Sequence, residues 1–364
     1  SAVFFDYDND NDIDLYLGND GQPGVLYSND RAGGFVDVTR QTGLGEVVNS
    51  LGVTAGDYDG DGFMDLLITS GARRGTTLLR NTGDGAFAAV EQWTQDTKTL
   101  QAWGASFVDY DNDAQLDIVM VTGGSTGGIL LYRNRGDGTF AEESGETGLD
   151  DAAIANGRGI TLGDYDNDGD IDMFVVDNGG PARLLRNDGG DSNRWLKLTT
   201  VGDGSNRMGL STKVLVKSGP DWQKKEVAGA AGYLSQNSSE LVFGLDKRKE
   251  AGIVYALWPS GLGEPLSGVA TNQMVVLREQ GRKSSCPLLY TWNGEQFTFI
   301  TDFLGAGFIG ILVGPDTYYQ PDTDEYVRVD GSQLREKDGL YSIRITEQLE
   351  EVPYLDKVRL LVVD

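Results

Sequence analysis

Histidine is absent from the chain, which removes imidazole general bases, Ser-His and Cys-His nucleophile pairs and His-containing zinc sites together. Any catalysis would rest on carboxylates, Tyr, Lys or Arg. There is one cysteine, Cys286 before Pro287; it permits no internal disulfide, reads as a small buried residue and leaves the redox compartment open. No apolar run reaches the roughly 18 residues needed to cross a bilayer, and the longest, residues 303–314, is interrupted by Gly. Positive charge is scarce: 30 Lys and Arg stand against 56 Asp and Glu, a formal charge of −26. Such a surface repels nucleic acid and anionic lipid head groups, so neither is expected as a partner.

Glycine is plentiful, 51 of 364 residues, but scattered between short apolar runs without the three-residue period of collagen. The chain is 39% apolar, enough for two or three cores. One nonapeptide recurs four times, as DYDNDNDID (6–14), DYDGDGFMD (57–65), DYDNDAQLD (109–117) and DYDNDGDID (164–172), with starts 51, 52 and 55 residues apart. A β-type run follows each copy, then a second one reading VLYSN, TLLRN, LLYRN or RLLRN. In the second and third units a G-D-G turn and Phe87 or Phe140 come next. Several short strands in about 50 residues is the grammar of one propeller blade.

The spacing of the carboxylates carries the chemistry. Asp at positions one, three, five and nine, with a backbone carbonyl from position seven, supplies the hard oxygen donors that Ca²⁺ takes in a coiled loop; Mg²⁺ tolerates irregular oxygen cages poorly. The expected ligand sets are Asp6, Asp8, Asp10, Asp12 and Asp14; Asp57, Asp59, Asp61, Phe63 and Asp65; Asp109, Asp111, Asp113, Gln115 and Asp117; and Asp164, Asp166, Asp168, Asp170 and Asp172. About four Ca²⁺ ions are therefore expected. Position six must turn sharply, which suits Gly62 and Gly169, is tolerated by Asn11 and strains Ala114, so the third site is expected to be the weakest. One Asp-rich stretch could be a solvated turn. Four in register, each packing carboxylates that repel without a cation, point to metal. An EF-hand is excluded because its twelfth position, where a bidentate Glu belongs, is Leu17, Ile68, Met120 or Val175.

By this ligand pattern, the spacing and the L-x-R-N and G-D-G-x-F elements, the four units resemble FG-GAP repeats, the calcium-loop blades of integrin α-subunit propellers and of the bacterial VCBS repeat. The resemblance covers roughly residues 1–190. It implies that calcium stiffens the blades while ligands bind on other loops. Ser1 stands five residues before the first loop, so the chain is expected to be an internal piece whose propeller is completed by upstream blades or another chain.

After residue 190 the pattern changes to alternating β runs such as KVLVK (213–217). The landmarks NRWL, SNRMG, GYLSQ, FGL and WPSG, in that order from Asn193 to Trp258, resemble the ASPIC/UnbV domain, which commonly follows VCBS-type repeats in bacterial secreted proteins. Arg194, Arg207, Tyr233, Ser235 and Gln236 read either as a ligand patch or, more simply, as residues that fix turns. From residue 282 a third β-rich stretch carries the hairpin signal Asn293-Gly294. Residues 303–324 read either as a partner-contacting loop or as a hairpin tip packed on its neighbour.

The fold class expected is thus all-β: FG-GAP-type blades over 1–190, a β-sandwich or barrel-like ASPIC/UnbV domain over 191–281 and a further β-rich segment over 282–364. The function expected is a non-enzymatic, calcium-stabilised binding or structural protein of the extracytoplasmic space, secreted, periplasmic or on the cell surface. Its partner would be protein or glycan, within a larger assembly if the contact is permanent. The alternative is a calcium-dependent polysaccharide hydrolase or lyase, with Trp93, Trp103 or Trp222 as sugar platforms in place of core residues.

Overall fold

The structure, a computed structural model, describes the chain apart from residues 30–33, 48, 72–74, 125–126, 190–191, 230, 281–287, 303–311, 315–316, 319–326 and 347–364. Cys286, most of the 303–324 stretch and the terminal run from Val358 to Val363 lie outside the described residues. The chain divides into two compact units, residues 1–259 with 265–279, and residues 260–264 with 280–364.

Within the first unit each repeat folds as an antiparallel meander. The first contains β1 (Ala2–Phe5), β2 (Asp14–Leu17), β3 (Val25–Asn29) and β4 (Phe35–Asp37); the second β5 (Val53–Gly56), β6 (Asp65–Ile68), β7 (Thr77–Asn81) and β8 (Phe87–Ala89). The third contains β9 (Ala102–Val108), β10 (Asp117–Thr122), β11 (Gly128–Asn134) and β12 (Phe140–Glu142), and the fourth β13 (Gly157–Gly163), β14 (Asp172–Asp177) and β15 (Arg183–Leu185). The register explains the position of the nonapeptide: Phe5 pairs with Asp14, Gly56 with Asp65, Val108 with Asp117 and Gly163 with Asp172. In every blade the Asp-rich loop is therefore the connection between the first two strands, closed by its own last aspartate.

Blades stack face to face. Phe5, Tyr16, Leu26, Leu66 and Leu79 fill the space between the first two; Tyr58, Leu67, Trp93, Ile118 and Met120 that between the second and third; and Val119, Leu131, Ile160 and Val175 that between the third and fourth. A second strand between two neighbours is buried on both faces. β10, DIVMVT, is accordingly buried at every position, and a continuous apolar run there is what two-sided burial requires. Among the described residues β14 has a neighbouring blade on one face only, and Phe174 and Val176 on its other face are 44% exposed. The first strands β1, β5, β9 and β13 lie side by side in succession, and the sheets do not close into a ring among the described residues. One short helix, α1 (Glu91–Thr97), interrupts the all-β pattern by burying Trp93 and Thr97, one turn apart, against the second blade.

Residues 195–278 form a module of two sheets. In one, β16 (Trp195–Val201) lies between β19 (Leu241–Gly244) and the parallel β22 (Gln273–Arg278). In the other, β17 (Lys213–Ser218) lies between β18 (Asp221–Glu226) and β20 (Glu250–Leu257); β21 (Gly263–Ala270) follows in the chain. A loop of the module runs along the first strands of the blades: the Gly232 N–H donates to the Val53 carbonyl at 3.0 Å, the Ser238 N–H to the Leu162 carbonyl at 2.9 Å, and Asn237 Nδ2 to Ser106 Oγ at 3.0 Å.

In the second unit, Leu288–Trp292 is the centre strand between Phe297–Asp302 and Ile343–Thr346. Its hairpin turns at Asn293-Gly294, where Gly294 takes φ 106°.

Candidate metal centres

The four loops share one hydrogen-bond scheme. Oδ2 of the first aspartate accepts the N–H of position six, from Asn11, Gly62, Ala114 or Gly169, at 2.9–3.1 Å. Oδ1 of the fifth-position aspartate accepts the N–H of position seven, from Asp12, Phe63, Gln115 or Asp170, at 2.9–3.0 Å. The ninth is used twice: Oδ2 of Asp14, Asp65, Asp117 and Asp172 accepts the N–H of the tyrosine at position two. Oδ1 of the same residues accepts the N–H of Asn29, Asn81 or Asn134, each the last residue of the third strand, or of Asn187, two residues beyond it. These bonds wind nine residues into a coil and turn the remaining carboxylate oxygens toward one another.

That winding requires left-handed backbone at two positions. Position six has φ 72° at Asn11, 89° at Gly62, 78° at Ala114 and 96° at Gly169. Position four is left-handed as well, with φ 57–71° at Asn9, Gly60, Asn112 and Asn167. The sequence signal at position four, Asn or Gly in all four copies, was available and is explained by the tolerance of these two residues for that region.

Oxygens of Asp6, Asp8 and Asp10, of Asp57, Asp59 and Asp61, of Asp109, Asp111 and Asp117, and of Asp164, Asp166 and Asp172 each lie within 4.8 Å of one another. The groups thus combine positions one, three and five in the first two loops, and one, three and nine in the last two. Asp14, Asp65, Asp113 and Asp168 stand in the same coils outside these groups. The side chain of Asp170 is directed elsewhere, accepting from Asn112 Nδ2 at 2.8 Å in the neighbouring loop.

The donor set fits a divalent cation. Oδ1 of Asp6, Asp57 and Asp164, the same oxygen of the same loop position, is buried and accepts no hydrogen bond among the described residues. An orphaned buried carboxylate oxygen is costly unless a cation meets it. In the third loop Asp109 Oδ1 instead accepts the Asp113 N–H at 3.0 Å. Burial pushes Asp14 and Asp57 up to about 7, Asp65 to about 8 and Asp117 to about 9, with neighbouring aspartates adding to each shift. Asp109 is also raised by burial, although the Lys225 ammonium opposes the shift. Without a cation Asp65 and Asp117 would hold protons at neutral pH and Asp14 and Asp57 would be about half protonated; a bound divalent ion would displace the protons.

Two further residues of the unit serve the loop, and their roles were not read from the sequence. The arginine of L-x-R-N reaches back over it: Arg80 to Asp59 and Asp61, Arg133 to Asp111 and Asp113 at 3.0 Å each, and Arg186 to Asp166 at 3.8 Å. The following asparagine joins blades. Asn81 Nδ2 donates to the Tyr7 carbonyl at 2.7 Å, Asn134 to that of Tyr58 at 2.9 Å and Asn187 to that of Tyr110 at 2.7 Å, each in the loop of the preceding blade.

The tryptophans divide. Trp93 is core, edge-on to Tyr132 and Phe140; Trp103 packs on Tyr233 with Arg158 over its ring; Trp222 remains 42% exposed. Ser235 donates to the Tyr233 carbonyl within its own turn; the backbone of Arg194 hydrogen-bonds with residues 245 and 246, and its guanidinium reaches Thr271 Oγ1 at 3.5 Å.

A model of the FG-GAP-like repeat matches residues 6–68, 67–120 and 116–175, and one described as ASPIC and UnbV matches residues 202–284. The chain carries FG-GAP repeats followed by an ASPIC/UnbV domain. It is homologous to cartilage acidic protein 1, with 26% identity over 268 residues of the Xenopus tropicalis protein and over 270 of the Mus musculus protein, in each case 68% of this chain. The chain spans about 40% of the length of these relatives. A solved structure of a lectin from Agrocybe aegerita, described as recognising non-reducing terminal N-acetylglucosamine, aligns at 19% identity over 52% of each chain with a TM-score of 0.31. That likeness transfers neither topology nor ligand to the FG-GAP blades.

Proposed function

We propose that this FG-GAP and ASPIC/UnbV chain is a non-enzymatic binding or structural protein of the extracytoplasmic space, in which about four Ca²⁺ ions rigidify the blades so that their loops contact protein or glycan. The observation that carries the reading is the first-position oxygen, buried with no donor among the described residues in three loops of the same winding. Calcium would be held by the first, third, fifth and ninth aspartates and by the position-seven carbonyl of Asp12, Phe63, Gln115 or Asp170. Its contribution is charge and rigidity. Homology to cartilage acidic protein 1 and the FG-GAP repeats support an extracellular setting.

Elemental analysis of the purified chain, dialysed against calcium-containing buffer and then against metal-free buffer, tests the metal assignment. Between three and four Ca²⁺ per chain are expected, and none would contradict it. A screen of glycan and ester substrates separates the binding role from the polysaccharide hydrolase or lyase alternative. Turnover abolished by a carboxylate substitution outside the loops would overturn the non-enzymatic reading.

A further inference from the structure

The cations nearest the first aspartates come from the ASPIC/UnbV module. Lys197 on β16, Lys213 on β17 and Lys224 on β18 are 1%, 4% and 5% exposed, and lysine is buried to that degree only where its charge is matched. For Lys197 and Lys213 the match includes a loop aspartate, whereas Lys224 pairs with Glu226 of the module at 3.5 Å. Lys197 Nζ donates to Asp164 Oδ2 at 3.1 Å and Asn167 Oδ1 at 2.8 Å, and pairs with Glu240 at 3.0 Å. Lys213 Nζ donates to Asp6 Oδ2 and, at 3.2 Å, to Asn11 Oδ1. Lys224 Nζ joins the first two loops, through Asn9 Oδ1 and, at 3.3 Å, the Gly62 carbonyl.

The third and fourth loops are also met by backbone and by close packing. The Asp246 N–H donates to the Asn112 carbonyl at 2.9 Å, and Asn193 Nδ2 to that of Asp111 at 2.8 Å. Gly244 approaches so closely that a β-carbon there would stand 2.1 Å from Asp109 Oδ2; a β-carbon on Gly169 would stand 1.9 Å from the Trp195 ring. All four loops thus face the module.

We propose that the metal loops are the docking face for the ASPIC/UnbV module, and that Lys197 and Lys213 are positioning residues for the bound cation. Each holds Oδ2 of a first-position aspartate and so fixes Oδ1, the buried oxygen without a donor, for the ion. The proposal rests on the calcium reading above. An ammonium and a calcium ion repel, but the first and fourth loops carry five aspartates each. A divalent ion leaves them strongly negative, so the lysine remains attracted while the ion is bound. Ion binding and docking then assist each other by the same factor. Asp57, whose Oδ2 is held by the Gly62 N–H with no lysine hydrogen bond to it among the described residues, is the internal comparison.

The test uses the whole chain. Calorimetric titration with CaCl₂ should show Lys197→Met and Lys213→Met each weakening one site by about 10- to 100-fold, the usual effect of losing a partner behind a metal ligand, with the other sites unchanged. Hydrogen exchange on the unaltered chain should show that chelation raises exchange in β16, β17 and β18, which hold no proposed ligand, more than in β10. Lysine variants that bind calcium as tightly as the parent, or more tightly, overturn the positioning role. If these variants do not fold, the exchange comparison decides alone, and no rise in β16–β18 overturns the coupling. An unaltered chain that binds no calcium refutes the calcium reading itself, a result distinguishable from both.

Discussion

Substituting Asn81 by alanine isolates the bond that ties one blade to the preceding Asp-rich loop. Asn81 is fully buried. Its Nδ2 donates to the Tyr7 carbonyl at 2.7 Å and the Met64 carbonyl at 3.3 Å, and its Oδ1 accepts the Gly83 N–H at 3.1 Å. The alanine variant keeps the backbone N–H that binds Asp65, so the loop's own winding is untouched. What is lost is about three hydrogen bonds at a net ~1 kcal/mol each, leaving groups with no water to replace them. The expected cost is therefore about 3 kcal/mol, which in a domain of this size lowers the melting temperature by roughly 6 to 12 °C. Asn29 is the control, because its side chain donates to the Ile13 carbonyl of its own blade, at 3.2 Å in a half-buried position, and Asn29→Ala should cost less than Asn81→Ala. Differential scanning calorimetry in calcium compares the two. Equal losses would refute the inter-blade role.

Ala114→Gly should stabilise the chain by about 0.5 kcal/mol, since relief of left-handed backbone at φ 78° outweighs the added freedom of glycine in the unfolded state; a lower melting temperature would reject the strain argument. Asp111→Ala should lower stability less than Asp59→Ala, because in the third loop the Asp113 N–H already occupies Asp109 Oδ1, and an equal or reversed ranking in calcium-bound melts would count against it. In the calcium-free chain burial raises Asp57, Asp65 and Asp117 to about 7, 8 and 9. Their protonation favours the folded state, fully below the ordinary carboxylate range of about 4, and this contribution is lost as pH rises through 7 to 9. The chelated chain should therefore melt higher at pH 6 than at pH 9, and calcium binding at pH 7 should release protons; no release in a weakly buffered titration would contradict the assignment.

The blades and their loops were legible because the same constraints were written four times. Asp-rich connections recurring every 50 residues, strands of two-sided apolarity and Gly or Asn at the tight turn each point to one local structure. The placement of Leu17, Ile68, Met120 and Val175 inside β2, β6, β10 and β14 is what excludes an EF-hand reading. The roles of Asn81, Asn134 and Asn187 were harder to see, since their partners lie 74 to 77 residues away and no local period records such a contact. Helix α1 was missed because seven residues are too few to display a helical repeat against flanking β patterns. The module's lysines were also silent. KVLVK reads as an ordinary half-exposed strand, and only the tertiary packing shows that Lys213 is buried on Asp6.

The central claim is that buried aspartate loops hold calcium and that the ions belong to the folding energy. Scanning calorimetry of the whole chain at neutral pH, in about a hundredfold excess of Ca²⁺ over the dissociation constant and again in EGTA, tests it directly. Each site loaded at that excess adds about 2.7 kcal/mol, so three or four sites should raise the melting temperature by at least about 15 °C. Coincident transitions in calcium and in EGTA would contradict the account.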